Sequence, residues 1–215
     1  MTAVLLTLTA VIAYFFGCVS SVNVTSNLFF HCNIKKNYPR NNEGITRFRR
    51  KFGIKGIVIL VGTELLKALI PLLIGGLLMS IKGHADVGYA FAMFCMVLGT
   101  VFPVIYGFEG ETSFFVVALS SLFIDGGVAL AMLLAFVGVY YFTRYISLAS
   151  LAAALMMCFV SVMTVNTDLV RYLVFFTAII IVIENRKSIR KLIKGKEEKF
   201  SYKEDLSYMF DENDF

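Results

Sequence analysis

Residues 35–71, KKNYPRNNEGITRFRRKFGIKGIVILVGTELLKALIP, decide the fold, because a strongly basic polar segment runs there directly into an apolar helix carrying Glu64 and Lys67. Eight of the chain's twenty Lys and Arg lie between Lys35 and Lys55, against the single acid Glu43, which leaves a local excess of seven positive charges. When a chain inserts into a bilayer, segments of this kind stay on the cytoplasmic side.

The rest of the 215 residues is consistent with that environment: 58% are hydrophobic, none is Trp, and the mean hydropathy is +0.78. Such a chain is too apolar for a soluble globule and is expected to be an all-α polytopic membrane protein. The formal charge of +5 is explained by topology and by attraction to anionic membrane lipids or phosphorylated substrates, so nucleic acid is not an expected partner. Cys18, Cys32, Cys95 and Cys158 have no paired spacing, and neither a disulfide framework nor a metal site is expected.

About 20 apolar residues cross a bilayer core, and that length divides the chain. Residues 3–24 make a first span; no basic residue precedes Lys35, so they lack the n-region of a cleavable signal peptide. Residues 54–81 make a second, expected to be broken at Pro71 and Gly75-Gly76, and residues 87–106 a third. The apolar run 114–141 is divided by Asp125-Gly126-Gly127 into a short fourth span and a fifth, followed by a sixth over 146–163 and a seventh over 169–183. About seven transmembrane helices place the N-terminus outside and the C-terminus in the cytoplasm. The segment 107–113, Arg144 and the tail from Glu184 then lie inside, while residues 82–86, Asp125 and Asp168 lie outside. Residues 1–200 form a single integral membrane domain. Within it, Ile189, Leu192 and Ile193 recur opposite Arg190, Lys191 and Lys194 as a surface amphipathic helix. Residues 201–215 form an acidic, disordered cytoplasmic tail.

A charge at the centre of a spanning helix costs about 2.5 to 3.5 kcal/mol on insertion scales, so it faces the bundle interior and finds a partner. Glu64 and Lys67 are three residues apart on one helix face. They either neutralise each other or brace a polar substrate site.

Five stretches together resemble a known family. TRYISLAS at 143–150 is similar to TRYVSLGS of the bacterial acyl-phosphate:glycerol-3-phosphate acyltransferases of the PlsY type, and Tyr14-Phe15-Phe16-Gly17 is similar to their first-span YLLGS. ELLKALIP from Glu64 resembles DLLKGxLP, the run from Phe102 to Gly110 resembles FPVFLxFKGG, and IRKLIKGKEEKF from Ile189 resembles IKRLLKGTEPKF. The resemblance covers nearly everything from residue 12 to residue 200. It implies seven spans with three cytoplasmic motifs, and transfer of an acyl group from acyl-phosphate to the first hydroxyl of glycerol-3-phosphate, with no metal or organic cofactor. A basic segment can hold phosphates, and glycine-rich turns can offer them backbone N–H groups.

The motifs depart from the family at specific positions. GSGNxGATN becomes Pro39 to Arg47, keeping Asn42, Gly44 and Thr46; RHRxNI becomes Glu184 to Ile189, keeping Arg186 and, further on, Glu197. In the second motif Thr100 stands at the His position, Glu109 and Thr112 at the Lys positions, and Glu111 and Ser113 replace glycines, while Gly110 is kept. The implied substrate-binding set is Arg40, Asn42, Gly44, Thr46, Arg47, Arg50, Gly110, Arg186 and Glu197. Carboxylates at 109 and 111 within about 4 Å of a phosphate would repel it by about 4 kcal/mol at an effective dielectric near 20, and acyl transfer is then expected to be slowed at least about a hundredfold. Two function classes follow: a glycerol-3-phosphate acyltransferase of phospholipid biosynthesis in the bacterial cell membrane, or a non-catalytic paralogue that keeps the fold and binds lipid or a partner protein.

Overall fold

The computed structural model describes residues 2–32, 42–108, 110, 111 and 113–193. The described residues are all-helical: α1 (Thr2–Cys18), α2 (Ser21–Phe30), α3 (Asn42–Ser80), α4 (Ala85–Val101), α5 (Phe114–Ile124), α6 (Gly126–Thr143), α7 (Ile146–Thr164), α8 (Asp168–Glu184) and α9 (Arg186–Ile193), with a 3-10 turn, Val104–Tyr106. Arg40, Glu109, Thr112, Glu197 and the acidic tail lie outside the described residues.

α4 is the axis of the bundle and packs against α1, α3, α5 and α8. Glycine makes this possible. A Cβ on Gly17 of α1 would strike the Met96 carbonyl of α4, one on Gly99 would strike the Tyr14 carbonyl, and Gly75 of α3 and Gly88 of α4 block each other in the same way. Small residues let helix backbones approach where lipid supplies no hydrophobic drive between helices. Farther from the axis, α6 and α7 pack together, and Leu134, Tyr141 and Phe142 of α6 are 64%, 75% and 85% exposed. In water such a surface would drive aggregation; against lipid it costs nothing.

Among the described residues, four helical segments are long and apolar enough to cross a membrane: Lys51–Ser80, Ala85–Tyr106, Gly126–Thr143 and Ile146–Thr164. The pair α1 and α2, bent by 55°, makes a fifth if it counts as one span. α5, with 11 residues, is about 16 Å long, roughly half the hydrocarbon thickness. The helix before Asp125 is short, as expected, and falls outside the segments long enough to cross.

The breaks fall elsewhere than the glycine and proline positions suggest. α3 is continuous through Pro71 and the Gly75-Gly76 pair, and its non-helical residue is Gly53 (φ 65°, ψ −163°). The glycine pair serves packing, with Gly75 against Gly88 and Ala92 and Gly76 against the Tyr89 ring. Before Gly53, residues 42–52 of the basic segment are helical rather than a loop. Phe48 is fully buried there, and its ring and that of Phe52 lie 4.7 Å apart, with the Phe30 ring of α2 4.1 Å from Phe52. Aromatic anchorage orders a stretch whose charge alone suggested an irregular loop. The first span, expected to be continuous to residue 24, breaks after Cys18, where Ser20 caps α2 by accepting the Asn23 N–H at 3.2 Å. By contrast, Asp125 divides α5 from α6 as expected, closing the first and capping the second through the Val128 N–H at 2.9 Å.

Candidate functional site

The break between α1 and α2 leaves backbone groups without helical partners: a carbonyl at Val19 and an N–H at Ser21. In a membrane helix such groups must be satisfied by other parts of the protein. Here charges of opposite sign do so. The Lys67 ammonium, on α3, donates to the Val19 carbonyl at 3.0 Å. On the other side of the break, Glu111 accepts the Ser21 N–H at 2.8 Å on one carboxylate oxygen and the Ser20 hydroxyl on the other. The cation meets the C-terminal end of one helix and the anion the N-terminal end of the next, as the peptide dipoles require. Both charges are buried, Lys67 to 9% exposure and Glu111 to 7%.

Glu64 lies one turn before Lys67 and is 4% exposed. Its Oε1 stands 3.9 Å from the Lys67 ammonium and accepts no hydrogen bond. The expected pair therefore exists, but it is the looser of Lys67's two contacts. Nearby, the Thr25 and Thr63 hydroxyls are hydrogen-bonded at 2.7 Å, tying α2 to α3.

The described residues from Phe102 to Ser113 close the cluster from the end of α4. The Tyr14 hydroxyl donates to the Phe102 carbonyl at 3.0 Å, and the Asn23 amide reaches the Tyr106 hydroxyl at 3.4 Å. Gly107 and Phe108 both take positive φ, 62° and 64°, as the chain reverses. Gly110 is pressed so closely against the Thr100 and Val101 carbonyls that no Cβ fits, and the Glu111 N–H donates to the Thr100 carbonyl at 3.0 Å. Ser113, immediately before α5, donates both its hydroxyl and its N–H to the Glu184 carboxylate at the end of α8.

This geometry corrects the expected role of Glu111. Its carboxylate does not lie unengaged in a phosphate cradle but caps α2. Thr100, at the position where the resembling motif has His, donates to the Met96 carbonyl at 3.0 Å within its own helix and is 2% exposed, which leaves it no part as a base. Of the candidate binding residues, Asn42, Gly44, Thr46 and Arg50 fall on the first turns of α3, with a half-buried Arg47 among them. Arg186 is exposed at the start of α9, which packs on α7 and α8. The structure thus joins Glu64, Lys67 and Gly110 in one polar cluster, while Arg47 and Arg186 stand on separate elements. Sequence reasoning missed Ser20, Ser21, Ser113 and the inward contact of Glu184. A serine followed three residues later by Asn23 at the end of an apolar run was a helix-start signal that could have exposed the first two.

The sequence profile of the family described as glycerol-3-phosphate acyltransferase matches residues 7–195. Among curated relatives, the glycerol-3-phosphate acyltransferase of Aquifex aeolicus is 31% identical over 169 residues, covering 77% of this chain and 84% of its own. That of Cupriavidus taiwanensis is 28% identical over 194 residues, covering 90% and 96%. That of a Thermoanaerobacter species is 29% identical over 203 residues, covering 93% and 98%. In fold the chain is similar to a crystal structure of PlsY (YgiH), described as an integral membrane glycerol 3-phosphate acyltransferase, in its lysophosphatidic acid form. The TM-score is 0.75 at 23% identity, over 95% of this chain and 98% of that one. The glycerol 3-phosphate form of PlsY gives the same TM-score at 22% identity.

Proposed function

Because this chain belongs to the glycerol-3-phosphate acyltransferase family, we propose that it is a multi-pass membrane enzyme of phospholipid synthesis that transfers an acyl group from acyl-phosphate to glycerol-3-phosphate. The observation that carries this is the extent of the family match, from residue 7 to residue 195. It takes in every polar group of the cluster at the α1–α2 break. In the reaction the glycerol hydroxyl oxygen bonds to the acyl carbon, the bond from that carbon to phosphate breaks, and the hydroxyl proton leaves with the phosphate or passes to water. Phosphate is a sufficiently good leaving group that the protein's task is to place two anions and an acyl chain.

Arg40, Arg47, Arg50 and Arg186 supply positive charge for the two phosphates. Asn42, Gly44, Thr46 and Gly110 contribute backbone or hydroxyl donors, Glu197 completes the set, and apolar helix faces hold the acyl chain. The chain crosses the bacterial cell membrane seven times, with α1–α2, α5 and α8 joining the four longer spans, its N-terminus outside and the site on the cytoplasmic face. The distribution of Lys and Arg supports that orientation.

A second function, a non-catalytic paralogue that binds lipid or a partner protein, is favoured by the engagement of Thr100 within its own helix. One assay separates the two. The purified protein in lipid is given acyl-phosphate and glycerol-3-phosphate beside an intact family member at the same salt. Formation of lysophosphatidate above the protein-free rate is the expected result; product no faster than that background would leave the paralogue.

A further inference from the structure

Where α6 passes to α7 and α8 to α9, the bundle carries cations outside the polar cluster. Arg144, in the α6–α7 turn, and Arg186, Arg190 and Lys191 of α9 are exposed there. α9 packs on α7 and α8 with Ser188 buried among them, so Arg186 and Arg190, one turn apart, share the outer face. The nearby acids do not offset these charges, because Glu111 and Glu184 turn inward to Ser20, Ser21 and Ser113.

The apolar neighbours set the depth of this edge. Tyr141 and Phe142 end α6 with exposed rings, and Val182 and Ile183 are exposed in the last turn of α8. Arg144 follows Phe142 by two residues and Arg186 follows Ile183 by three, a rise of about 3 to 5 Å. Aromatic side chains of this kind mark the membrane–water interface, and a few Å beyond the hydrocarbon lie the lipid phosphates. α7 starts at Ile146, two residues after Arg144, and α9 packs on α7. Packed helices lie about 8–10 Å apart, a gap that long basic side chains on its two sides can close around one headgroup.

We propose that this edge binds one anionic phospholipid, with its phosphate headgroup between Arg144 and the neighbouring Arg190 and Lys191. Its acyl chains run down the lipid-facing side of the bundle. Charge selects the occupant: cations at headgroup depth attract a lipid with net negative charge, whereas a zwitterionic lipid carries its own ammonium. Arg186 keeps the substrate task proposed above, and the lipid site does not depend on acyl transfer.

The test is titration of the purified protein with phosphatidylglycerol and with phosphatidylcholine of the same chains, read by native mass spectrometry. Phosphatidylglycerol should bind at least about tenfold more tightly at low salt. Arg144→Gln and Arg190→Gln should each cut that preference about fivefold, and the double variant little further, because the two share one headgroup. Lys82→Gln, which removes an exposed cation at the opposite end of the bundle, should leave the preference within about twofold. If either arginine variant does not fold, Lys191→Gln takes its place in the series. Equal binding of the two lipids, or an unchanged preference in the arginine variants, would overturn the proposal. So would losses that simply add, or an equal loss in Lys82→Gln, since both describe a diffuse field rather than a site. Displacement of phosphatidylglycerol by inorganic phosphate at matched concentration would show a site for phosphate alone and overturn the lipid assignment.

Discussion

At the end of the bundle where α3 passes to α4, α5 to α6 and α7 to α8, charged side chains close helices close to the surface. Asp125 caps α6 and takes the Thr164 hydroxyl at 3.3 Å; Asp86 takes the Thr167 hydroxyl at 2.5 Å; Arg171 pairs with Asp168 at 2.7 Å. At the opposite end Lys67, Glu111 and Glu184 reach across 48, 90 and 71 residues of sequence to backbone that has left its helix. The first arrangement is partly exposed and partly local, the second more buried and between distant segments. The difference teaches that charge here does two jobs. One end uses it to finish helices, the other to let a helix be interrupted inside the bundle, where Lys67 and Glu111 satisfy the backbone groups that the interruption frees.

If that contrast holds, the largest effect comes from Lys67. Lys67→Met leaves a buried carboxylate without its cation and the Val19 carbonyl without its donor, and should destabilise by about 3 to 5 kcal/mol in thermal unfolding at fixed detergent. Adding Glu64→Gln should restore only part of this, because about 1 to 3 kcal/mol belongs to the carbonyl that remains unsatisfied. A double variant as stable as the parent would show that the break does not need Lys67. At the other end, Asp125→Ala removes a helix cap and should cost about 1 kcal/mol, with lysophosphatidate formation unchanged. A loss of activity there would erase the division of labour between the ends. The smallest effect is expected for Asp168→Asn. Its side chain is 76% exposed and that of its partner Arg171 35%, so the change should be at most about 0.5 kcal/mol and should shrink further in high salt.

The sequence foretold what is local. Asp125-Gly126-Gly127 separates two helices because cap and turn lie within three residues, and the amphipathic pattern after Glu184 becomes α9 because its signal is one turn long. It misplaced what depends on neighbours. Pro71 and the Gly75-Gly76 pair carry the strongest break signals in α3, yet the helix passes through them because α4 packs there, and the break falls at Gly53. Glu111 looked like a charge in the path of phosphate because its partners, Ser20 and Ser21, stand some 90 residues away. The overall class and the family resemblance were available from hydropathy and motif order. The wiring of the site was not, since the contacts of Lys67 with Val19 and of Glu111 with Ser21 join segments 48 and 90 residues apart.

The glycine contacts of α4 bear on how the protein meets bilayers of different thickness. Helices joined through long side chains can slide and tilt independently when the surrounding hydrocarbon thickens or thins, at fractions of a kcal/mol per Å. α1 and α3 each touch α4 backbone to backbone at these glycines, which couples the tilt of the three. The adjustment to mismatch then falls on the α6–α7 hairpin, whose long exposed faces are free to lean. A change in lipid length would alter the outline of the molecule while the distances from Lys67 and Glu111 to the interrupted helix stayed fixed.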